Sequence, residues 1–217
     1  MLSSSTLPNS PRLETLPKLY PILDASFEKA WPAKAAVQAL ARAGCRIIQL
    51  RAKKLSGRAF HDWACEAQET ARPMGVILIV NDRVDVALTA RAAGVHLGQD
   101  DLSATAARRV LGDGAIIGLS THTVEQAAEA EHSPVDYVAI GPAFPTVTKE
   151  KADRPLGPDG IARVREVVGK PLVAIGGITL ENGPSLLRAG ADSLAVISAL
   201  MGAGELTGTA RRMLESW

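Results

Sequence analysis

The fold of this chain is indicated first by the segment Tyr137-Val138-Ala139-Ile140, which runs directly into Gly141-Pro142-Ala143-Phe144-Pro145-Thr146-Val147-Thr148-Lys149. The short apolar run is typical of a buried strand, and the glycine and prolines after it predict a stiff loop. The loop carries two hydroxyls and an ammonium group, which can bind phosphoryl oxygens. The segment therefore predicts a site for a phosphorylated ligand, with a rigid surface turn and a solvated lysine as the alternative.

The rest of the chain repeats this alternation of apolar runs and polar segments. Most of the runs are continuously apolar, as expected for parallel strands that are covered on both faces. The predicted strands are Lys18–Leu23, Arg46–Arg51, Val76–Asn81, Gly94–Leu97, Ala115–Ser120, Asp136–Ile140, Pro171–Ile175 and Ser193–Ile197.

Between the strands the apolar residues recur with the 3.6-residue period of a helix. The three clearest stripes are Val37, Leu40, Ala41 and Gly44; Phe60, Trp63, Ala64 and Ala67; and Leu206, Ala210, Met213 and Leu214. Thr123 and Gln126 resemble a capping box. Three similar tripeptides precede strands, and their glycines are predicted to stop helices in the left-handed conformation. The tripeptides are Arg42-Ala43-Gly44, Ala92-Ala93-Gly94 and Arg188-Ala189-Gly190.

Eight strand–helix units in 217 residues predict an α/β fold, a compact (β/α)8 TIM barrel with eight parallel strands and outer helices. The rival architecture, an open doubly wound sheet, lacks its usual G-x-G-x-x-G after the first strand. Residues 1–16 are rich in Ser, Thr and Pro, which predicts a disordered tail. Residues 17–217 are predicted to form the single barrel domain.

Composition excludes several classes of partner. The net charge is +1, so no basic surplus favours nucleic acid or an anionic membrane surface. No apolar run approaches the length of a membrane-spanning helix, and the start does not resemble a secretory signal. Cys45 and Cys65 lack metal-ligand spacing and are expected to be packing thiols in a reducing compartment, which predicts a cytoplasmic protein. The oligomeric state stays open, a homo-oligomer included.

Polar residues follow the predicted strands where a TIM barrel binds its ligands, at the carboxyl ends. Arg51, Lys53 and Lys149 offer positive charge there, and Ser120 offers a neutral donor, which together predict capture of an anion. An alternative role for Arg51 is a salt bridge to a neighbouring carboxylate at the same end.

Two acidic residues, Asp82 and Asp101, follow adjacent predicted strands. Mg²⁺ is typically held by one or two carboxylates, several waters and the phosphates of a substrate. The pair is therefore a candidate metal site beside the cationic cluster. The alternative is that each aspartate caps the helix that follows, although Ser103 could cap the fourth helix instead.

A second phosphate site is predicted at Gly176-Gly177 and Ile197-Ser198, after the last two strands, where barrels often bind phosphate through backbone amides. His96 lies within a strand and is expected in the core or behind the site, whereas His122 near the rim could donate to a ligand. The chain has no HExxH motif and no nucleophile elbow.

These segments together resemble the thiamine phosphate synthase family. The resemblance spans the chain from about Leu19 to the last helix, and the loop ending Pro-Thr-x-Thr-Lys is its most specific part. The family usually has an acid where Ala52 stands. The other matching segments are Gln49-Leu50-Arg51-Ala52-Lys53, Asn81-Asp82, Gly98-Gln99-Asp100-Asp101, Gly118-Leu119-Ser120-Thr121-His122, Ile175-Gly176-Gly177-Ile178 and Val196-Ile197-Ser198.

The resemblance implies that a pyrimidinylmethyl pyrophosphate is joined to a thiazole phosphate, releasing pyrophosphate. It implies three groups of site residues. The pyrimidine pyrophosphate would be held by Gln49, Arg51, Lys53, Asn81, Ser120 and Lys149. Mg²⁺ would be held by Asp82 and Asp101, and the thiazole phosphate by Thr146, Thr148, Gly177, Ile197 and Ser198.

The expected mechanism is dissociative: pyrophosphate leaves first, and the thiazole nitrogen then attacks the pyrimidinylmethyl cation. Catalysis then depends on positioning and on stabilising the leaving anion, for which Arg51, Lys53, Lys149 and Ser120 are the candidate catalytic residues. Two alternatives stay open. One is a thiazole tautomerase of the same barrel family, which would use His122, and the other is a non-catalytic barrel that binds thiamine phosphates.

Overall fold

The computed structural model describes residues 15–146 and 154–217, and within them eight parallel strands close into a barrel. Each strand pairs with the next along the chain, and β8 returns to pair with β1. The strands are β1 Leu19–Asp24, β2 Ile47–Arg51, β3 Ile77–Asn81, β4 Gly94–Leu97, β5 Ile116–Thr121, β6 Tyr137–Ile140, β7 Leu172–Ile175 and β8 Ser193–Val196.

Helices connect the strands on the outside of the barrel. Two short 3-10 helices, Ala25–Phe27 and Arg72–Met74, follow β1 and the second α-helix. The α-helices are α1 Ala33–Ala43, α2 Gly57–Ala71, α3 Val84–Thr89, α4 Ala104–Leu111, α5 Val124–Glu131, α6 Gly157–Val167, α7 Gly183–Arg188, α8 Ser198–Met201 and α9 Leu206–Ser216.

The TIM-barrel prediction is confirmed, and every predicted strand lies within one residue of an observed one. The helix-stop prediction is correct at Gly44 and Gly190, which have φ values of 110° and 105° and follow α1 and α7. It is wrong at Gly94. Helix α3 ends earlier, and Gly94 begins β4, where an added Cβ would lie 1.8 Å from the carbonyl oxygen of Ile116. Close strand approach, rather than helix termination, explains that glycine.

Two buried clusters build the core. The larger lies between the sheet and the helices and consists mainly of Ala, Val, Leu and Ile. The smaller fills the barrel interior, where alternate strand residues point inward. Its members are Leu16, Tyr20, Ile22, Ile47, Ile79, Ile116, Tyr137, Ala139, Val173 and Ala195. Leu16, the last residue of the predicted tail, is thus part of the packed barrel.

The predicted capping pair, Thr123 and Gln126, lies at the start of α5. The Thr123 hydroxyl accepts a hydrogen bond from the Gln126 backbone N–H at 3.2 Å, and the Gln126 side chain accepts from the backbone N–H of His122 at 2.8 Å. The reciprocal pair therefore forms at the start of α5, one residue wider than the usual capping box. In the part of the chain that the structure describes, no helix combines the length and apolarity needed to cross a membrane.

Candidate active site

The carboxyl ends of the strands meet at one end of the barrel, which we call the rim. At the end of β1, the buried Asp24 carboxylate accepts hydrogen bonds from the Arg51 guanidinium and from the backbone N–H of Ser26, the latter at 2.9 Å. Register places Asp24 directly beside Arg51 on β2. The salt bridge predicted as the alternative role of Arg51 is therefore present, and Arg51 still lies at the rim with part of its side chain exposed.

Burial alone would raise the pKa of the Asp24 carboxyl. The hydrogen bonds from Ser26 and the charge of Arg51 outweigh that effect and hold the pKa below its ordinary value of 3.8. Asp24 is therefore ionised near neutral pH and fixes the guanidinium of Arg51. Sequence reasoning missed Asp24, although the same strand-end rule that selected Arg51 would have found it.

The acidic pair is brought together at the rim. Asp82 lies against Asp101, and Lys53 donates to the Asp82 carboxylate at 2.6 Å. Burial raises the pKa of the Asp82 carboxyl, the Lys53 ammonium opposes that rise, and the neighbouring Asp101 adds to it. Two carboxylates and a lysine from three consecutive βα units therefore form one charged cluster.

Neither aspartate caps a helix through its side chain. Ser103 caps α4 by accepting from the Ala106 N–H at 3.3 Å, and α3 begins after Arg83 without a side-chain cap. Asp101 accepts from the Gly98 N–H at 2.7 Å, which orients its carboxylate within the loop after β4. The structure thus supports neither alternative role as a helix cap.

The backbone of Asp82 has a φ of 65°, in the left-handed region that side-chain-bearing residues seldom occupy. The Asp82 N–H donates to the carbonyl of His96 on β4 at 2.8 Å, which holds this conformation. A strained backbone conformation persists only where the surrounding structure holds it in place, and such residues are often found at functional sites. Here it turns the Asp82 side chain off the end of β3 beside Asp101.

Gln49, Asn81 and Ser120 occupy inward-facing strand positions just below the rim. Gln49 and Asn81 are buried, and Ser120 is half-buried. Ser120 lies 2.8 Å from His96 Nε2, and Gln49 donates to the Tyr20 hydroxyl at 3.5 Å. The predicted pyrimidine-site residues from β2, β3 and β5 therefore line one shared interior space.

The loop after β6 packs against the end of β7. The backbone N–H groups of Ala143 and Phe144 donate to Ile175 and Gly176 at 2.8 and 3.0 Å. Gly177 has a φ of 62°, and an added Cβ there would lie 2.5 Å from the carbonyl oxygen of Pro145. Glycine is therefore required where these two loops meet, next to Thr146.

The other predicted thiazole-site residues lie at the end of β8 or outside the described residues. Ile197 follows β8 and Ser198 begins the short helix α8. Thr148 and Lys149 fall outside the residues that the structure describes, so their predicted roles rest on the sequence alone.

His122 lies at the carboxyl end of β5, where its Nδ1 is 2.7 Å from the carbonyl oxygen of Gly141. A carbonyl can only accept, so Nδ1 carries the hydrogen in this contact. The imidazole is thus tied to the beginning of the loop after β6.

The paired carboxylates suit a hard divalent cation. Two like charges held side by side repel each other, and a cation relieves that repulsion. No group of three or more potential ligands among His, Cys, Asp and Glu forms within 15–146 and 154–217. The donor set present at Asp82 and Asp101 fits Mg²⁺, which keeps several waters and takes further ligands from substrate phosphates.

Comparison with known proteins gives concordant results. Residues 19–200 match the family model described as thiamine monophosphate synthase. The chain is 41% identical over 196 residues to the thiamine-phosphate synthase of Chloroflexus aurantiacus, covering 90% of each chain. It is 48% identical over 167 residues to that of Methanocella arvoryzae, covering 77% of this chain and 79% of the relative.

Among solved structures, thiamine phosphate pyrophosphorylase from Pyrococcus furiosus superposes with a TM-score of 0.83 at 34% identity, covering 92% of this chain and 95% of that one. Several other solved structures superpose at under 25% identity. One of them is a geranylgeranylglyceryl phosphate synthase from Thermoplasma acidophilum, with a TM-score of 0.66 at 14% identity. These distant matches show the shared fold alone.

Proposed function

The chain belongs to the thiamine monophosphate synthase family, and from that premise we propose how its rim residues join a pyrimidinylmethyl pyrophosphate to a thiazole phosphate. The activity is that of a transferase in thiamine biosynthesis. The products are thiamine phosphate and pyrophosphate.

One observation carries the proposal: paired carboxylates and two cationic side chains share one rim. Lys53 lies 2.6 Å from Asp82, and Asp82 lies against Asp101. Arg51 ends the neighbouring strand β2, and its guanidinium is held by Asp24 on β1. A pyrophosphate needs cations to balance its charge, and a metal–pyrophosphate complex needs carboxylates for the metal.

In this proposal Arg51, Lys53 and Lys149 bind the pyrophosphate, and Ser120 donates a hydrogen bond to the same substrate. Gln49 and Asn81 hold the substrate from below the rim, where both are buried. Asp82 and Asp101 would hold Mg²⁺. When bound, Mg²⁺ would supply positive charge that stabilises the departing pyrophosphate.

Thr146, Thr148, Gly177, Ile197 and Ser198 would surround the thiazole phosphate. The close approach of Gly177 to Pro145 supports this assignment, because only a backbone without Cβ lets the two loops form one wall. Ser198 begins α8, and the first turn of a helix has backbone N–H groups without intrahelical partners that can donate to an anion.

The chemistry needs no protein nucleophile. The carbon–oxygen bond to pyrophosphate breaks, and the amino-substituted pyrimidine spreads the positive charge left on its methylene carbon. The thiazole nitrogen then supplies the electron pair for the new carbon–nitrogen bond. Arg51, Lys53 and Lys149 stabilise the leaving group, while the two binding regions hold carbon and nitrogen in line.

The direct test mixes both phosphorylated heterocycles with the full chain, with and without Mg²⁺, and measures pyrophosphate release. We expect release that needs both heterocycles and rises with Mg²⁺. Pyrophosphate release that is the same with excess chelator would remove Asp82 and Asp101 from the metal role. A metal-independent proton shift on the thiazole, lost in His122→Ala, would instead support the tautomerase alternative.

A cytoplasmic location is also part of the proposal. Both cysteines are free, and burial raises the pKa of the Cys45 thiol to about 12. Unpaired thiols are typical of reducing compartments.

A further inference from the structure

A continuous hydrogen-bond chain crosses the barrel interior beneath the rim. Gln49 Nε2 donates to the Tyr20 hydroxyl at 3.5 Å, and the hydroxyls of Tyr20 and Tyr137 are 3.0 Å apart. The Tyr137 hydroxyl lies 2.9 Å from His96 Nδ1, and His96 Nε2 lies 2.8 Å from Ser120 Oγ. The chain thus links two proposed pyrimidine-site residues, Gln49 on β2 and Ser120 on β5.

All the intermediate groups are shielded from water. Tyr20 and Tyr137 are each 1% exposed and His96 is 5% exposed. The rings are also packed against one another: Tyr137 stacks on His96 with centroids 5.6 Å apart and meets Tyr20 edge-on at 6.0 Å. Buried hydroxyl and imidazole groups without partners are costly, so each member holds its neighbour in place.

Gly118 makes the arrangement sterically possible. A Cβ at Gly118 would lie 2.0 Å from Cζ of Tyr137, so only glycine leaves room for the phenol ring to cross the interior. Gly118 is paired in register with both His96 and Tyr137. This strand position therefore admits the ring that reaches His96.

The chemistry of the members favours one direction for the hydrogens. A neutral imidazole has one donor and one acceptor nitrogen. A phenol is the more acidic hydroxyl, so it is the better donor to the basic nitrogen, and Nδ1 accepts from Tyr137. Nε2 then carries the hydrogen and donates to Ser120 Oγ. The amide of Gln49, donating at the other end, agrees with this direction.

We propose that His96, held by Tyr137, is a positioning residue that turns the Ser120 hydroxyl hydrogen toward the pyrophosphate-bearing substrate. With its oxygen accepting from His96, Ser120 has its own hydrogen left to donate. The reverse direction would consume that hydrogen inside the barrel and present only lone pairs to a phosphoryl oxygen. The inference rests on the proposed function, because it assumes that Ser120 contacts the pyrimidine pyrophosphate.

The buried phenols remain neutral donors across the working pH range. Burial raises the pKa of Tyr20 to about 12, and burial together with Tyr20 raises the pKa of Tyr137 well above its ordinary value. The direction of the chain is therefore not reversed by loss of a phenolic proton near neutral pH.

A double-mutant cycle separates positioning from mere packing. We expect Tyr137→Phe to lower kcat/KM for the pyrimidine pyrophosphate about tenfold when Ser120 is present, and less than about twofold in a Ser120→Ala background. KM for the thiazole phosphate should stay unchanged. Equal losses in both backgrounds would overturn the inference, since the effect would then not pass through Ser120.

Thr121→Val is the matched control. It removes a different buried hydroxyl, on β5, which donates to the Ala139 carbonyl at 2.9 Å. We expect Thr121→Val to lower the free energy of unfolding without lowering kcat/KM for the pyrimidine pyrophosphate. A loss equal to that of Tyr137→Phe would show that any buried hydroxyl deletion on this side of the barrel has the same effect.

A measurement without substrate tests the hydrogen direction itself. Nitrogen NMR of the imidazoles, assigned with His96→Asn, should show His96 neutral, with Nε2 protonated and Nδ1 unprotonated. The opposite tautomer or an imidazolium near neutral pH would overturn the inference whatever the kinetics. If wild-type chain releases no pyrophosphate, the proposed function fails, and the tautomer measurement still decides the hydrogen direction.

Discussion

At the scale of single residues, the site depends on groups whose energetics are unfavourable in isolation. Asp82 combines a left-handed backbone, partial burial and a neighbouring carboxylate, each of which costs free energy. Asp24 is buried but compensated by Arg51 and Ser26. Both carboxylates are paired with a cationic side chain, Asp82 with Lys53 and Asp24 with Arg51.

Replacing Asp82 separates charge from backbone strain. Asp82→Asn and Asp82→Ala should both lower turnover by at least about tenfold, because each removes the carboxylate from the proposed metal site. Asp82→Ala should also unfold more easily than Asp82→Asn by about 1 kcal/mol, since Asn tolerates a positive φ better than Ala. Steady-state kinetics and urea unfolding measure the two effects. Wild-type turnover in Asp82→Asn would contradict the metal role.

The lowered pKa of Asp24 predicts how the free energy of unfolding depends on pH. Its pKa is lower in the folded chain than in the unfolded one, so its stabilising contribution is complete above the unfolded value and is lost as pH falls through the folded value. Wild type should exceed Asp24→Asn in unfolding free energy by about 2 kcal/mol near neutral pH. The difference should shrink below about pH 4. A difference that stays constant across this range would show that ionisation of Asp24 is not its source.

At the scale of elements, the alternation of strand residues decides which side chains reach the rim. On β1 and β2, every second residue faces the interior, so Tyr20 and Ile22 lead to Asp24, and Ile47 and Gln49 lead to Arg51. The paired register Ile22↔Gln49 and Asp24↔Arg51 brings these inward positions level. Parallel strands thus assemble a layered site from residues distant in sequence.

The loop after β7 meets the loop after β6 at Gly177, and this contact predicts a selective effect on binding of the thiazole phosphate. Gly177→Ala should raise KM for the thiazole phosphate about tenfold, because a Cβ 2.5 Å from the Pro145 oxygen would push the two loops apart. KM for the pyrimidine pyrophosphate should change little. Gly75→Ala is the matched control, since Gly75 has a similar φ of 66° but nothing within 4 Å of its added Cβ. If both variants raised KM for the thiazole phosphate equally, backbone strain alone would explain the effect of Gly177→Ala, and the contact with Pro145 would not.

At the scale of the whole molecule, the barrel closes where the two ends of the described chain meet. The Ser193 hydroxyl donates to the Pro17 carbonyl at 2.6 Å, and Lys18 donates to the Trp217 carbonyl. The Trp217 ring packs close to Gly183, and its N–H donates to the Leu180 carbonyl at 3.2 Å. The last residue therefore ties α9 to the region of β1, β8 and α7.

Trp217 should accordingly contribute to global stability. Trp217→Ala is expected to lower the unfolding free energy by about 3 kcal/mol, the range seen for buried aromatic truncation. Trp217→Phe should lose less, about 1 kcal/mol, because it keeps a ring beside Gly183 and loses mainly the hydrogen bond to Leu180. Thermal and urea unfolding would measure both. Equal stability in the two variants would rule out ring packing as the main contribution.

The strands and the barrel were predictable from the sequence, because continuous apolar runs are local signals. The family was recognised by resemblance, from the matching segments at the strand ends. The location of Arg51, Lys53, Asp82 and Asp101 at the rim was also predictable, because each follows or ends a predicted strand. Gly94 was misread, because a glycine that stops a helix and one that admits a neighbouring strand have the same local sequence context.

Only the tertiary structure decided which groups share hydrogen bonds and charges. The partnership of Asp24 with Arg51 and the path from Gln49 through Tyr20, Tyr137 and His96 to Ser120 join residues up to 117 positions apart within a single contact. Such contacts depend on barrel closure and strand register, which bring distant inward positions to one level. The amino-acid order alone determined which residues face inward, and the closed sheet determined which of them meet.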